Sequence, residues 1–179
     1  MFNDILEAAA CIIERDGLGG VSTNAVAETA GVSIGSLYQY FPNQIAILAE
    51  LTRRERELLR GGISGVALKR EDASLDHAVE DMIKAAVVHQ LARPRLAREL
   101  DFAEASLDLI PKTELMGDDI ISSVAAMLRR HAYPRADEAA QDLVSMAKGM
   151  IDAAGLAGET DAAALSARVR RAALGYLRY

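Results

Sequence analysis

Residues 31–48, Gly-Val-Ser-Ile-Gly-Ser-Leu-Tyr-Gln-Tyr-Phe-Pro-Asn-Gln-Ile-Ala-Ile-Leu, leave the backbone few paths. Gly31 supplies a permissive turn after a helix over residues 23–30, and Ser33 caps a new helix by accepting an N–H from its first turn. Leu37 and Phe41 then lie four apart on one apolar stripe, which leaves Ile34, Gly35, Ser36, Gln39 and Tyr40 on other faces. Pro42 and Asn43 end this helix, over 33–41, and cap the next. A helix, a glycine turn, a short helix and a capped exit helix form a device for laying one helix in the major groove of DNA.

The remaining periodicity is also helical. Phe2, Ile5, Ala9, Ile12 and Ile13 recur at helical spacing until Gly17, Gly19 and Gly20 interrupt them, and Ser22 or Thr23 caps the second helix with Val26, Ala27 and Ala30 inward. The fourth helix is expected to start after Asn43 with Ile45, Leu48 and Leu51 inward. It should end near residue 60, where Gly61, Gly62 and Gly65 weaken it. Its run Arg53-Arg54-Glu55-Arg56-Glu57 reads as a solvated face. Leu75, Val79, Met82, Ile83 and Ala86 mark a helix ending before Pro94, and Leu96, Leu100 and Ala103 mark one reaching about Leu109. Ile120, Ile121, Val124 and Leu128 mark another, and two long helices follow, over about 136–156 and 161–179.

Composition sharpens the fold class. The chain of 179 residues is 51% hydrophobic but only 4% aromatic, so Ala, Leu, Val and Ile do the packing, which favours helices. The expectation is an all-α protein of two parts, residues 1–47 and 48–179. No apolar run reaches the roughly 20 residues that cross a bilayer, and no signal-peptide pattern opens the chain, so a cytoplasmic location with no membrane partner is expected. The lone Cys11 falls in the apolar stripe of the first helix and reads as a buried structural thiol. His77, His89 and His131 are scattered, so neither a metal nor another cofactor is called for.

Charge and motifs exclude further classes. A formal charge of −6 argues against a generic polyanion binder. Within residues 1–47 Arg15 is the only base against Asp4, Glu7, Glu14, Asp16 and Glu28, a net of −4. Gly31-Val32-Ser33-Ile34-Gly35 satisfies G-x-S-x-G, the hydrolase nucleophile elbow, but that chemistry needs a strand before the serine. Residues 23–30 are an Ala-rich helical segment, so no enzyme is expected.

Thr23, Ala27, Ala30, Gly31, Val32, Ser33, Gly35, Leu37, Tyr38, Tyr40 and Phe41 all match T-x-x-x-A-x-x-A-G-V-S-x-G-x-L-Y-x-Y-F-x-x-K. On these residues the chain resembles the TetR family of bacterial transcriptional regulators. The resemblance implies an N-terminal helix-turn-helix domain and a C-terminal helical domain that binds a small-molecule effector and dimerises. The expected function is a ligand-responsive repressor that binds palindromic double-stranded operator DNA as a homodimer. A TetR-like interaction protein with weak DNA binding is the alternative.

Particular residues follow. Ser36 and Gln39 suit hydrogen bonds to base edges, Ile34 a thymine methyl, and Gly35 close approach of the backbone. In the family the positions of Thr23, Tyr38 and Tyr40 commonly touch phosphate or the groove. Asn24, Ser33 and Gln44 complete the expected DNA contacts. The family often has a base at the position of Asn24 and usually Lys at that of Gln44. It also commonly has a basic arm before its first helix, where this chain reads Met1-Phe2-Asn3-Asp4. Met82, His89, Phe102, Met116 and Met127 are the adaptable side chains for an effector pocket, with a modest apolar or acyl-like ligand expected. The Ala-rich stripes of the last two helices, with Leu143, Ala147, Met150 and Ile151 on one and Leu165, Val169, Ala172 and Tyr176 on the other, resemble the family's dimer-forming pair.

Overall fold

The computed structural model describes residues 1–69, 73–106 and 110–178. Among these residues every regular element is helical: α1 (Phe2–Asp16), a 3-10 turn (Leu18–Gly20), α2 (Thr23–Ala30), α3 (Ile34–Tyr40), α4 (Gln44–Lys69), α5 (Leu75–Ala92), α6 (Pro94–Ser106), α7 (Ile110–Arg130), α8 (Ala136–Leu156) and α9 (Ala162–Leu177). They form two compact units. One comprises Met1–Glu55 and Arg95–Thr113, the other Arg56–Pro94 and Glu114–Tyr179.

In the first unit the apolar stripe of α1 meets the inner faces of α2, α3 and the start of α4. Ile5, Leu6, Ile12, Ile13, Val26, Leu37, Phe41, Ile47, Leu48 and Leu51 are buried together. Leu96 and Leu100 of α6 join them. Polar ties of long sequence separation hold α6 there: Arg95 Nη1 donates to the carbonyls of Glu14 and Arg15 at 3.2 and 2.7 Å. In return, Glu14 Oε1 accepts the Leu96 N–H at 2.6 Å, and Glu99 Oε2 accepts the Leu18 N–H at 3.3 Å. The C-terminal carbonyls of α1 and the N-terminal amide of α6, left over by their own helices, thus satisfy each other through side chains.

The second unit buries Val79, Met82, Ile83 and Val87 of α5 against Val124, Met127 and Leu128 of α7, and against the apolar faces of α8 and α9. Ser74 Oγ caps α5 by accepting the His77 N–H at 3.4 Å. Asp161 Oδ1 caps α9 through the N–H groups of Ala163 and Ala164 at 3.0 and 2.9 Å.

Three expectations fail at the level of elements. The fourth helix does not stop near residue 60 but runs to Lys69 through all three glycines. Each glycine costs about 1 kcal/mol in helix propensity, which burial of Ile63 within the same turns offsets. Ile45 is half exposed while Ile47 is buried, because the helix presents 47, 48 and 51 to the core rather than 45. Cys11 is exposed, with its thiol 3.8 Å from Glu7 Oε1, so the inward face of α1 passes to either side of it.

Candidate nucleic-acid interface

The α2–α3 segment is built by local chemistry. Ser22 Oγ accepts the Ala25 N–H at 3.1 Å and so caps α2. Gly31 leaves α2 at φ 66°, in the left-handed region that favours glycine. Its N–H returns to the Glu28 carbonyl at 3.1 Å and that of Val32 to the Ala27 carbonyl at 3.0 Å, a Schellman closure of the helix. Ser33 Oγ then accepts the Ser36 N–H at 3.0 Å, and Asn43 Oδ1 accepts the Ala46 N–H at 2.9 Å, capping α3 and α4 in turn. The element before Ser33 is therefore helix α2, not a strand, and a nucleophile elbow is structurally excluded.

Leu37 is fully buried beneath α3, and Phe41 closes its end. With that stripe held, Gly35 and Gln39 fall on the opposite, outward side. Ile34, Tyr38 and Tyr40 are 39%, 51% and 44% exposed, and Asn24, Ser33, Gly35 and Gln39 are exposed as well. Thr23, Ser36 and Gln44 are half-buried. The ten expected DNA-contacting residues thus share α2, α3 and the start of α4 with none in the core. Thr23 Oγ1 and the Tyr38 hydroxyl share a hydrogen bond at 3.3 Å, and the Ser33 and Ser36 hydroxyls one at 2.8 Å, so α3 is braced both to α2 and to its own cap.

Sequence reading missed one support of this surface. Phe2 stacks on Phe41 at 5.0 Å between ring centroids and meets Tyr40 edge-on at 6.1 Å. The signal was a Phe at the start of the first apolar stripe, but its partners lie some forty positions on.

Electrostatically the surface is bare of cations. Between Arg15 and Arg53 the chain has no Lys, Arg or His. Arg15 pairs with Asp16 at 2.7 Å, and that hydrogen bond holds the Asp16 carboxyl below its ordinary range. Arg53 pairs with Glu50, while Arg54 binds Glu55 at 3.0 Å and Glu7 at 3.3 Å.

The remaining expected site residues separate. Met82 and Met127 are buried in the core of the second unit and His89 is half-buried on α5. Phe102 is 66% exposed and belongs to the first unit. The Met116 side chain lies outside the described residues. Of the expected dimer residues, Leu143, Ile151, Leu165 and Val169 are buried within the single chain, the last two completely, where they pack α8 and α9 into the core of the second unit. Ala147, Met150 and Ala172 are half-buried and Tyr176 is exposed. Tyr176 donates to Asp142 Oδ2 at 2.6 Å, and this hydrogen bond, aided by desolvation, pushes its phenol up to about 12.

An all-helical chain with a doubly capped helix-turn-helix ahead of a second helical unit defines a helix-turn-helix regulator. Family models make the assignment specific. The bacterial regulatory proteins, tetR family, match residues 5–51, and the tetracyclin repressor-like C-terminal domain matches residues 74–177. The chain belongs to the TetR family.

Among its relatives is the HTH-type transcriptional repressor KstR of Mycolicibacterium smegmatis. It is 32% identical over 104 residues, covering 57% of this chain and 51% of the relative. Nucleoid occlusion factor SlmA of Actinobacillus pleuropneumoniae is 31% identical over 86 residues, covering 48% of this chain and 42% of that protein. The chain spans about half the length of the curated relatives it matches. Fatty acid degradation regulator FadR of Bacillus halodurans superposes with a TM-score of 0.81 at 16% identity, over 97% of this chain and 94% of that one. FadR of Bacillus subtilis, solved in complex with stearoyl-CoA, gives 0.81 at 17% identity over 97% of both. These likenesses show a shared fold. Among the described residues no helix is long and apolar enough to cross a membrane.

Proposed function

We propose that this chain is a ligand-responsive transcriptional repressor that binds a palindromic operator as a homodimer, reading DNA through residues 22–44. The observation that carries the reading is α3 itself, capped at its start, pinned by Leu37 and Phe41, and left with Gly35 and Gln39 outward. DNA reading belongs to residues 1–47. Effector binding and dimerisation belong to 48–179, apart from α6, which packs with the first unit.

Dimerisation uses the outer faces of α8 and α9 rather than their apolar stripes. Ser145, Gly149, Ala153 and Leu156 follow one another at helical spacing on α8, all exposed, and Leu156 is a large apolar side chain left in solvent. Gly149 sits in mid-helix with open space where a Cβ would be, which favours close approach of another helix. Exposed Ala164, Ala167, Arg168 and Arg171 flank that face on α9. A two-fold axis there would set the spacing of two α3 helices.

The effector is an apolar or acyl-like small molecule held among the helices of the second unit, near Met82, Met127 and His89. Sparse aromatics and flexible methionines support this ligand class, and FadR of B. subtilis provides a case of this fold bound to an acyl-CoA. The ligand acts by binding one arrangement of the dimer better than another. The acidic balance of residues 1–47 favours the second reading, an interaction protein with little DNA affinity.

Selection of bound fragments from the source organism's genome, followed by fluorescence anisotropy, separates the two. A repressor binds selected fragments far better than random DNA, and Gln39→Ala costs about 1–3 kcal/mol at one base pair per half-site with thermal stability unchanged. If no fragment outcompetes random DNA at physiological salt, the interaction-protein reading replaces the repressor.

A further inference from the structure

We infer that the chain reads its operator through a surface without cationic side chains, in which Ile34 packs on the C5-methyl of a thymine; this rests on the DNA-binding reading above. The inference starts from what the outward groups are free to do. The hydroxyls of Thr23 and Tyr38 are bonded to each other, as are those of Ser33 and Ser36, so each pair has one hydroxyl hydrogen left to donate, which suits a phosphate oxygen better than a bidentate base edge. No Lys, Arg or His occurs between Arg15 and Arg53, which removes the guanidinium and ammonium contacts that recognise guanine. Three side chains of α3 keep recognition chemistry to offer: the Tyr40 hydroxyl at the last position of the helix, the exposed Gln39 amide, and the branched apolar side chain of Ile34, 39% exposed at the first position. Gln39 and Ile34 are the two of these that belong to the helix start and its outward face, where base edges are read.

An amide of this kind matches the N6 and N7 atoms of adenine, and an apolar group matches the thymine methyl. Gly35, next to Ile34, has only Ser33 Oγ at 3.9 Å from where a Cβ would stand, so the backbone beside Ile34 can come close to a base edge. Both contacts specify A·T pairs, and the half-site core is therefore built on them.

The test uses genome-selected duplexes in which each thymine is replaced in turn by deoxyuridine, which removes the methyl and nothing else. The wild-type protein should lose about fourfold in affinity at one thymine per half-site, the effect of exposing one methyl. Ile34→Ala should lose a similar amount on the thymine duplex and be indifferent to deoxyuridine at that position, with an unchanged melting temperature because Ile34 lies outside the core. Equal deoxyuridine responses in wild type and Ile34→Ala, or no sensitive thymine at all, overturn the inference while leaving the repressor reading in place. Failure to select any fragment overturns the repressor reading and this inference together.

Discussion

Replacing Gly35 with Ala should make the protein more stable and a poorer DNA binder. Gly35 is the second residue of α3, at ordinary helical φ, and a Cβ built there meets only Ser33 Oγ at 3.9 Å, an ordinary van der Waals contact. Nothing inside the protein needs the glycine. Relieving its backbone entropy is worth about 0.5–1 kcal/mol, with the lower figure more apt in a first turn, which for a chain of this size raises Tm by about 1–4 °C. The same methyl projects from the side of α3 opposite Leu37. If a base edge or sugar must sit against that backbone, the added volume costs about 1–3 kcal/mol, or roughly 5- to 150-fold in Kd. Thermal melting without DNA and anisotropy on a selected duplex measure the two effects separately. A fall in Tm would show that the space around Gly35 is used internally. A rise in Tm with unchanged Kd would show that α3 does not approach DNA at this point.

Other outcomes follow from burial and charge. Leu165→Ala should cost about 2–5 kcal/mol by leaving a cavity in the second unit, whereas Ala153→Arg should sediment as a folded monomer whose Tm no longer depends on protein concentration. A dimeric Ala153→Arg protein would move the interface elsewhere. Gln44→Lys, at the start of α4, should tighten binding to selected and random DNA alike and steepen the salt dependence by about 0.9 per contact; a gain on one sequence only would contradict a phosphate role. The Tyr176 phenol, raised from 10.0 to about 12 by its bond to Asp142, contributes stability that is complete below pH 10 and is lost as pH rises through 12. Tyr176→Phe should flatten the stability profile between those values, and an identical alkaline profile would refute the assignment.

Much of the helix-turn-helix unit was legible because its determinants are neighbours in sequence. The caps at Ser22, Ser33 and Asn43 act on N–H groups three residues away, and the Gly31 turn closes on carbonyls three and five residues back. The stripe of Leu37 and Phe41 likewise fixes which side of α3 faces out. Such interactions do not need the rest of the chain to be recognised.

Tertiary structure alone decided what each apolar stripe covers. Periodicity identified apolar faces on α8 and α9, but the choice between their own subunit and a second copy depends on α5 and α7, more than a turn of sequence away, and the structure buries Leu165 and Val169 at home. Cys11 and Ile45 lay at the margins of apolar stripes, where a rotation of a few tens of degrees moves a side chain from core to solvent. The run of α4 through Gly61, Gly62 and Gly65 was set by burial of Ile63 over local propensity. Membership of α6 in the first unit rests on Glu14, Arg95, Leu96 and Glu99, groups some eighty positions apart whose pairing has no local signature. Local capping and periodicity determine where helices begin and which side is apolar; only the packed chain determines which neighbour that side meets.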